Sequence, residues 1–214
     1  HSISRFSHIH FAATKEHADR LLKFGEEPWR IYNVGALGLD SIMDETILSK
    51  VELSRKYGIE LHDRYIVCLF HPISTESELA GYQMTEILDA IITEGIQAVI
   101  IYPNNDHGSQ YIIYEIEKRR NISEFIVFKN LEHQDYVALL KHSKALIGNS
   151  SSGIIEAPSL KIPVINVGNR NVGRDHADNV LFVEADRDMI SKAIKYALYD
   201  SKFKKRLNNI SNPY

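Results

Sequence analysis

The chain has 214 residues, 44% of them hydrophobic and 25% charged, with a formal net charge of −3. That is an ordinary globular composition, long enough for one sizeable domain or for one domain plus a fragment of another. It offers no general attraction for nucleic acid, since no dense Lys/Arg block accompanies the net negative charge, so a phosphate-bearing partner must be held by a local site. No apolar run approaches the ~18 residues of a membrane span, so no membrane partner is expected. The single cysteine, Cys68, sits in the apolar run Tyr65 to Phe70 and reads as a buried strand residue. It allows no disulfide within the chain, which favours a reducing, cytoplasmic compartment. Both ends look cut: the chain begins at His1 inside a helical pattern and stops abruptly at Ser211-Asn212-Pro213-Tyr214.

In chain order, Ser7 to Ala13 alternates as a strand, and Thr14 caps a helix through Phe24 that Gly25 stops. Glu26 to Arg30 is a turn, Ile31 to Val34 a short strand, and Gly35 to Gly38 a joint that is expected to be the domain hinge. One strand, helix, strand unit cannot form a core alone. Residues 1–35 are therefore expected to be the last unit of a truncated preceding domain, and residues 36–214 a second domain. Leu39 to Leu48 reads as helix, and Ser49 with Glu52 as a capping box opening another. Arg64 to Phe70 is the most strand-like run. Thr75 with Glu78 reads as a second capping box before a long helix to Thr93. Gln97 to Tyr102 is strand, Gln110 to Arg120 helix, Phe125 to Phe128 strand, and His133 to Lys141 helix. Val180 to Val183 is a last strand, followed by a helix from Asp186 to Leu198 and a terminal helical piece. Strands alternating with helices predict an α/β fold, a doubly wound parallel sheet with right-handed crossovers. The ligand edge of such a sheet lies at the carboxyl ends of its strands, where His71, Asn104, Leu131 and Ser150 fall.

The stretch from Leu146 to Arg170, LIGNSSSGIIEAPSLKIPVINVGNR, carries the most chemistry. It reads as strand, polar turn from Gly148 to Gly153, helix from Ile154 to Leu160, and strand from Pro163 to Val167. Pro158 conflicts with a helix interior and predicts a kink or an early end. Ser150, Ser151 and Ser152 read either as an ordinary helix cap or, with the nearby glycine, as a cradle for phosphate. If Ser151 caps the helix, Glu156 lies five residues on, about 1.4 turns, and points back toward the helix start, where a carboxylate suits a ribose diol.

His71 follows a strand and precedes Pro72; on position alone it is as well explained as a structural or exposed residue. Asn104, in Tyr102-Pro103-Asn104-Asn105-Asp106, has the residue type to bind phosphate or ribose, though such loops are often plain turns. Arg170 and Arg174 are solvated charges unless a ligand gathers them. His8 and His10 share a strand face but lack a third ligand, so no metal is expected. Nor is a GxGxxG, P-loop, GxSxG or HExxH motif present, which disfavours nicotinamide cofactors, P-loop hydrolysis and serine hydrolysis. No cofactor is expected.

Ser150 to Ser152, then Glu156-Ala157-Pro158 and Lys161-Ile162-Pro163-Val164-Ile165, resemble the nucleotide-binding segment of UDP-N-acetylglucosamine 2-epimerases and, more loosely, of many GT-B glycosyltransferases. The resemblance runs from Ser7-His8-Ile9-His10-Phe11 through Asn33-Val34-Gly35, Phe70-His71-Pro72 and Gly148 to Arg170, ending at Asn212-Pro213-Tyr214. It implies the C-terminal half of a hydrolysing epimerase of sialic-acid or related nonulosonate synthesis, with a Rossmann-like UDP-binding domain of a GT-B enzyme. The implied partner is a UDP-sugar, and the full-length protein is expected to be a homo-oligomer. By resemblance His71 lies beside the pyrophosphate and assists departure of UDP, Ser150, Ser151 and Arg170 meet the phosphates, Leu131 and Tyr136 wall the uracil, and Glu156 takes the ribose. The catalytic acid/base carboxylates would come from the missing half, so this fragment is expected not to turn over. The non-hydrolysing branch carries Arg-Arg-Glu after the histidine, where this chain has Pro72-Ile73-Ser74. A non-hydrolysing epimerase, a GT-B glycosyltransferase and a non-catalytic nucleotide-sugar-binding module remain as alternatives.

Overall fold

The computed structural model describes residues 2–44 and 47–214, with side chains at all of these but Ser41, Met43 and Asp44. Its centre is a six-stranded, wholly parallel sheet. The strands are β3 (Tyr65–Leu69), β4 (Gln97–Ile101), β5 (Phe125–Phe128), β6 (Leu146–Gly148), β7 (Val164–Val167) and β8 (Val180–Val183), in the order β5-β4-β3-β6-β7-β8. Such a sheet is covered on both faces, which explains why its strands read as continuous apolar runs rather than alternating ones. Successive residues of β3 show the division. Ile66 and Cys68 face a core shared with α5 (Ala80–Glu94), α6 (Ser109–Lys118), α9 (Arg187–Tyr199) and α10 (Ser201–Leu207). Tyr65 and Val67 face one shared with α3 (Gly38–Asp44), α4 (Lys50–Tyr57), α7 (His133–His142) and α8 (Ser152–Ile155). The strand order reverses between β3 and β6, so their carboxyl ends splay the connecting loops apart and open a crevice.

A separate two-stranded parallel sheet, β1 (His10–Ala12) and β2 (Ile31–Asn33), carries α1 (Ser2–Phe6) and α2 (Lys15–Lys23). β1 is shorter than the strand expected over Ser7 to Ala13; His8 lies outside it, packed edge-on against Trp29, while His10 is buried and bonded to Glu26 at 3.1 Å. Thr14 caps α2 as expected, accepting from the His17 N–H. The Ser49/Glu52 capping box forms in both directions. The one expected at Thr75 and Glu78 does not: Ser74–Leu79 is a 3₁₀ segment kinked at Glu76, with no side-chain cap, and α5 begins only at Ala80. The helix expected over Leu39 to Leu48 is observed as Gly38–Asp44, its expected continuation crossing residues 45–46, which lie outside the described set. Cys68 is fully buried in β3, and burial pushes its thiol pKa up to about 12.

Candidate functional site

The loops after β3, β4, β5 and β6 converge on a crevice of about 770 Å³ at the switch point. Seven of the eight residues singled out from the sequence line it: His71, Asn104, Leu131, Tyr136, Ser150, Ser151 and Glu156. Arg170, on the loop after β7, stands at its margin, where its Nη1 donates to the Asn149 carbonyl at 3.0 Å.

His71 is 5% exposed, and its place is set from three sides. Its N–H donates to Asn149 Oδ1 at 2.7 Å, its carbonyl accepts from Asn149 Nδ2 at 2.8 Å, and its ring Nδ1 accepts from the Asn104 N–H at 3.2 Å. A ring whose Nδ1 is an acceptor carries its proton on Nε2 when neutral. Burial, with the Arg170 charge added, lowers the His71 pKa to about 4, so the imidazole is neutral at pH 7 and offers one N–H. Asn104 thus meets His71 through its backbone N–H.

The serine turn differs from the expected helix cap. Ser151 has helical dihedrals, φ −63° and ψ −21°, and makes no side-chain cap bond. Ser150 takes that part instead: its Oγ accepts from the Ser152 N–H at 3.3 Å and from Ser152 Oγ at 3.0 Å. Ser152 Oγ in turn meets Tyr136 OH at 2.5 Å, tying the turn to α7. Burial pushes the Tyr136 phenol pKa up, so it stays protonated. The amides of Ser150 and Ser151 have no protein acceptor among the described residues, which leaves them open to solvent or to a ligand. Neither glycine of the turn makes room for phosphate, contrary to expectation. A Cβ on Gly148 would lie 2.0 Å from Leu69 O, and one on Gly153 would lie 2.8 Å from Val164 Cγ1. Both are needed for close packing within the protein.

The helix is Ser152–Ile155, four residues rather than the expected run from Ile154 to Leu160, and it ends three residues before Pro158. Glu156 is therefore its C-cap, not a residue one turn inside it. It nevertheless lines the crevice. Its Oε1 lies 3.4 Å from His133 Nε2, and its Oε2 is buried with no partner among the described residues. A buried carboxylate oxygen without a donor is costly unless a ligand supplies one.

Asn149, Asn171 and His133 escape the sequence reading. Asn149 is fully buried; while its side chain holds His71, its carbonyl accepts from Arg170 and from Asn171 Nδ2, the latter at 3.0 Å. Asn171 also donates to Asn166 Oδ1 at 2.8 Å. The signal for Asn149 was its place at a strand end inside the serine turn; nothing in the sequence marks its partners. Among the described residues no group of three or more His, Cys, Asp or Glu side chains is placed to hold a metal ion. No described helix is long and apolar enough to cross a membrane.

A 3-2-1-4-5-6 strand order with a polar crevice at its switch point defines a doubly wound α/β domain whose ligand edge lies at the carboxyl ends of its strands. The model of the UDP-N-acetylglucosamine 2-epimerase family matches residues 1–214, and the chain belongs to that family. It is 35% identical to the polysialic acid biosynthesis protein P7 of Escherichia coli, over all of this chain and 55% of that protein. It is 33% identical to the hydrolyzing UDP-N,N'-diacetylbacillosamine 2-epimerase of Legionella pneumophila, over 95% of this chain and 54% of that one. The chain thus spans about half the length of the curated relatives it matches. Its fold, of GT-B type, is similar to the crystal structure of UDP-GlcNAc 2-epimerase from Neisseria meningitidis bound to UDP-GlcNAc, with a TM-score of 0.77 at 19% identity, covering 99% of this chain and 58% of that one.

Proposed function

We propose that this chain is the UDP-binding half of a hydrolysing UDP-N-acetylglucosamine 2-epimerase, releasing UDP and N-acetylmannosamine or a related 2-epimeric acetamido sugar. The observation that carries the reading is the convergence of the neutral His71 N–H, the free Ser150 and Ser151 amides and the orphan Glu156 oxygen on one switch-point crevice. In this reading the amides and the Arg170 guanidinium take phosphate oxygens, Leu131 and Tyr136 wall the uracil, and Glu156 accepts from the ribose hydroxyls. Loss of the C2 proton and of UDP yields a glycal, and addition of water with inversion at C2 completes the hydrolysis. His71 serves as a hydrogen-bond donor to the departing diphosphate rather than as a general acid, because its low pKa leaves no imidazolium proton to give at pH 7.

Pro72-Ile73-Ser74 after the histidine, in place of Arg-Arg-Glu, favours the hydrolysing branch, as does the similarity to the hydrolyzing epimerase of Legionella pneumophila. Residues 1–35 are proposed to belong to the other domain, with the hinge at Gly35 to Gly38. Supporting this, β1 and β2 form their own small sheet, and Phe6 and Phe11 on that unit are 92% and 69% exposed. Product analysis on the full-length protein tests the function. Free UDP with a free 2-epimeric sugar is expected, whereas UDP-N-acetylmannosamine, or transfer to an acceptor, would overturn it.

A further inference from the structure

A second cavity, of about 390 Å³, opens at the opposite edge of the sheet, beneath the amino ends of β3, β6 and β7. Arg64, Lys144, Lys161 and Lys204 line it together with Tyr199, Leu198 lies in its wall, and no Asp or Glu is among its lining residues. In a chain with more acidic than basic residues, 28 against 25, four convergent cations are a local reversal of charge. All four are exposed, so solvent screens their mutual repulsion, and an anion entering the cavity would relieve what remains.

Such cations often neutralise helix carboxyl ends, and α7 and α9 both end near this edge. A side chain in that role bonds the terminal carbonyls. Here only Lys161 reaches a carbonyl, that of Ile210 at 2.5 Å, beyond the end of α10. The side chains of Arg64, Lys144 and Lys204 make no hydrogen bond or ion pair among the described residues; that of Arg64 only overlies the Tyr199 ring, 5.9 Å from its centroid. The neighbouring acids are hydrogen-bonded elsewhere, and Asp63 reaches Lys144 only through its field. Asp63 is bound to Lys50 at 2.6 Å, and Asp200 accepts from the Phe203 N–H at 2.6 Å.

We propose that this cavity binds a phosphate monoester carried on a planar or apolar body, at a site distinct from the nucleotide crevice. Three cationic side chains without a hydrogen-bonded partner, together with Lys161, match a dianionic phosphate, and the exposed Tyr199 ring beside an apolar wall suits a ring-bearing body. The site does not depend on the epimerase reading, since it shares no residue with the crevice.

Calorimetry on the full-length protein with adenosine 5′-monophosphate, adenosine and inorganic phosphate as probes tests it. Two variants locate the binding: Lys144→Gln/Lys204→Gln in the cavity and Arg170→Gln at the crevice. The expected result is that the monophosphate binds more tightly than either of the other probes, loses about tenfold or more in affinity in the cavity variant, and is unaffected by Arg170→Gln. Should the double variant fail to fold, Arg64→Gln, at an exposed position, carries the same expectation. The proposal is overturned if the monophosphate does not bind, if adenosine or inorganic phosphate binds as well, or if Arg170→Gln alone weakens it.

Discussion

Asn149 holds His71 by its main chain, accepting from the His71 N–H at 2.7 Å and donating to the His71 carbonyl at 2.8 Å, as one strand would hold another. This side chain extends the β3–β6 pairing by one step beyond the point where the strands part. Asn149→Ala would leave both His71 groups unpaired in a buried place, at a cost of about 1–3 kcal/mol each. Asn149→Asp keeps the acceptor but sets a carboxylate against the His71 carbonyl, so it should be destabilising too. Urea unfolding gives the stability change, and calorimetry with UDP should show weakened binding in both variants. An alanine variant as stable and as tight-binding as the wild type would refute the arrangement.

The low pKa of His71 has a consequence for acid stability. Its folded value, about 4, lies below the ordinary 6.5, so between these values the unfolded chain carries a proton that the folded protein does not. Stability therefore rises with pH across that window, and as pH falls from 6.5 toward 4 the folded state loses up to about 3 kcal/mol from this group. His71→Gln should lose less on acidification than the wild type. Equal slopes for the two proteins in unfolding experiments from pH 7 to pH 4 would mean that the ring is not held neutral.

For Glu156, the expected outcome concerns ligand rather than fold. Glu156→Gln removes charge-assisted bonds worth roughly 1.5–3 kcal/mol, so UDP affinity should fall about tenfold or more while the melting temperature changes little. Deoxyuridine diphosphate, lacking one ribose hydroxyl, should lose much less on the same substitution. Equal losses for the two nucleotides would show that the carboxylate does not hold the diol.

Two glycines with positive φ should respond very differently to alanine. At Gly148, φ is +133° and a Cβ would sit 2.0 Å from Leu69 O and 2.6 Å from Leu69 C, both backbone atoms between paired strands. Gly148→Ala should fail to fold or lose several kcal/mol, on the order of the largest single-residue effects. At Gly168, φ is +76° with nothing within 4 Å, so Gly168→Ala should cost only about 1–2 kcal/mol of backbone strain. Thermal melts of the two variants side by side decide this, and similar losses would contradict the packing described.

The sequence by itself determined the alternation of strands and helices, hence the doubly wound parallel sheet, because apolar runs and their breaks depend only on local residue order. β5 and β8 fall on the predicted residues, and the Ser49/Glu52 box forms because both of its partners lie within one turn. The same locality put His71, Asn104, Leu131 and Ser150 at strand ends, and a parallel sheet brings such ends to one edge. Tertiary structure alone decided what each group does there. Thr75 and Glu78 match a capping box, yet the chain between His71 and α5 is bent into a 3₁₀ segment whose Glu76 accepts from Asn169 Nδ2 at 2.8 Å, a residue 93 positions away. Ser151 matches a cap, yet packing of Gly153 on Val164 and the Tyr136–Ser152–Ser150 bonds give the turn another form. Asn149 could be read as one more turn residue until β3 and β6 lie side by side. Its bonds to His71 span 78 residues, and no local pattern encodes a contact that exists only once the sheet has assembled.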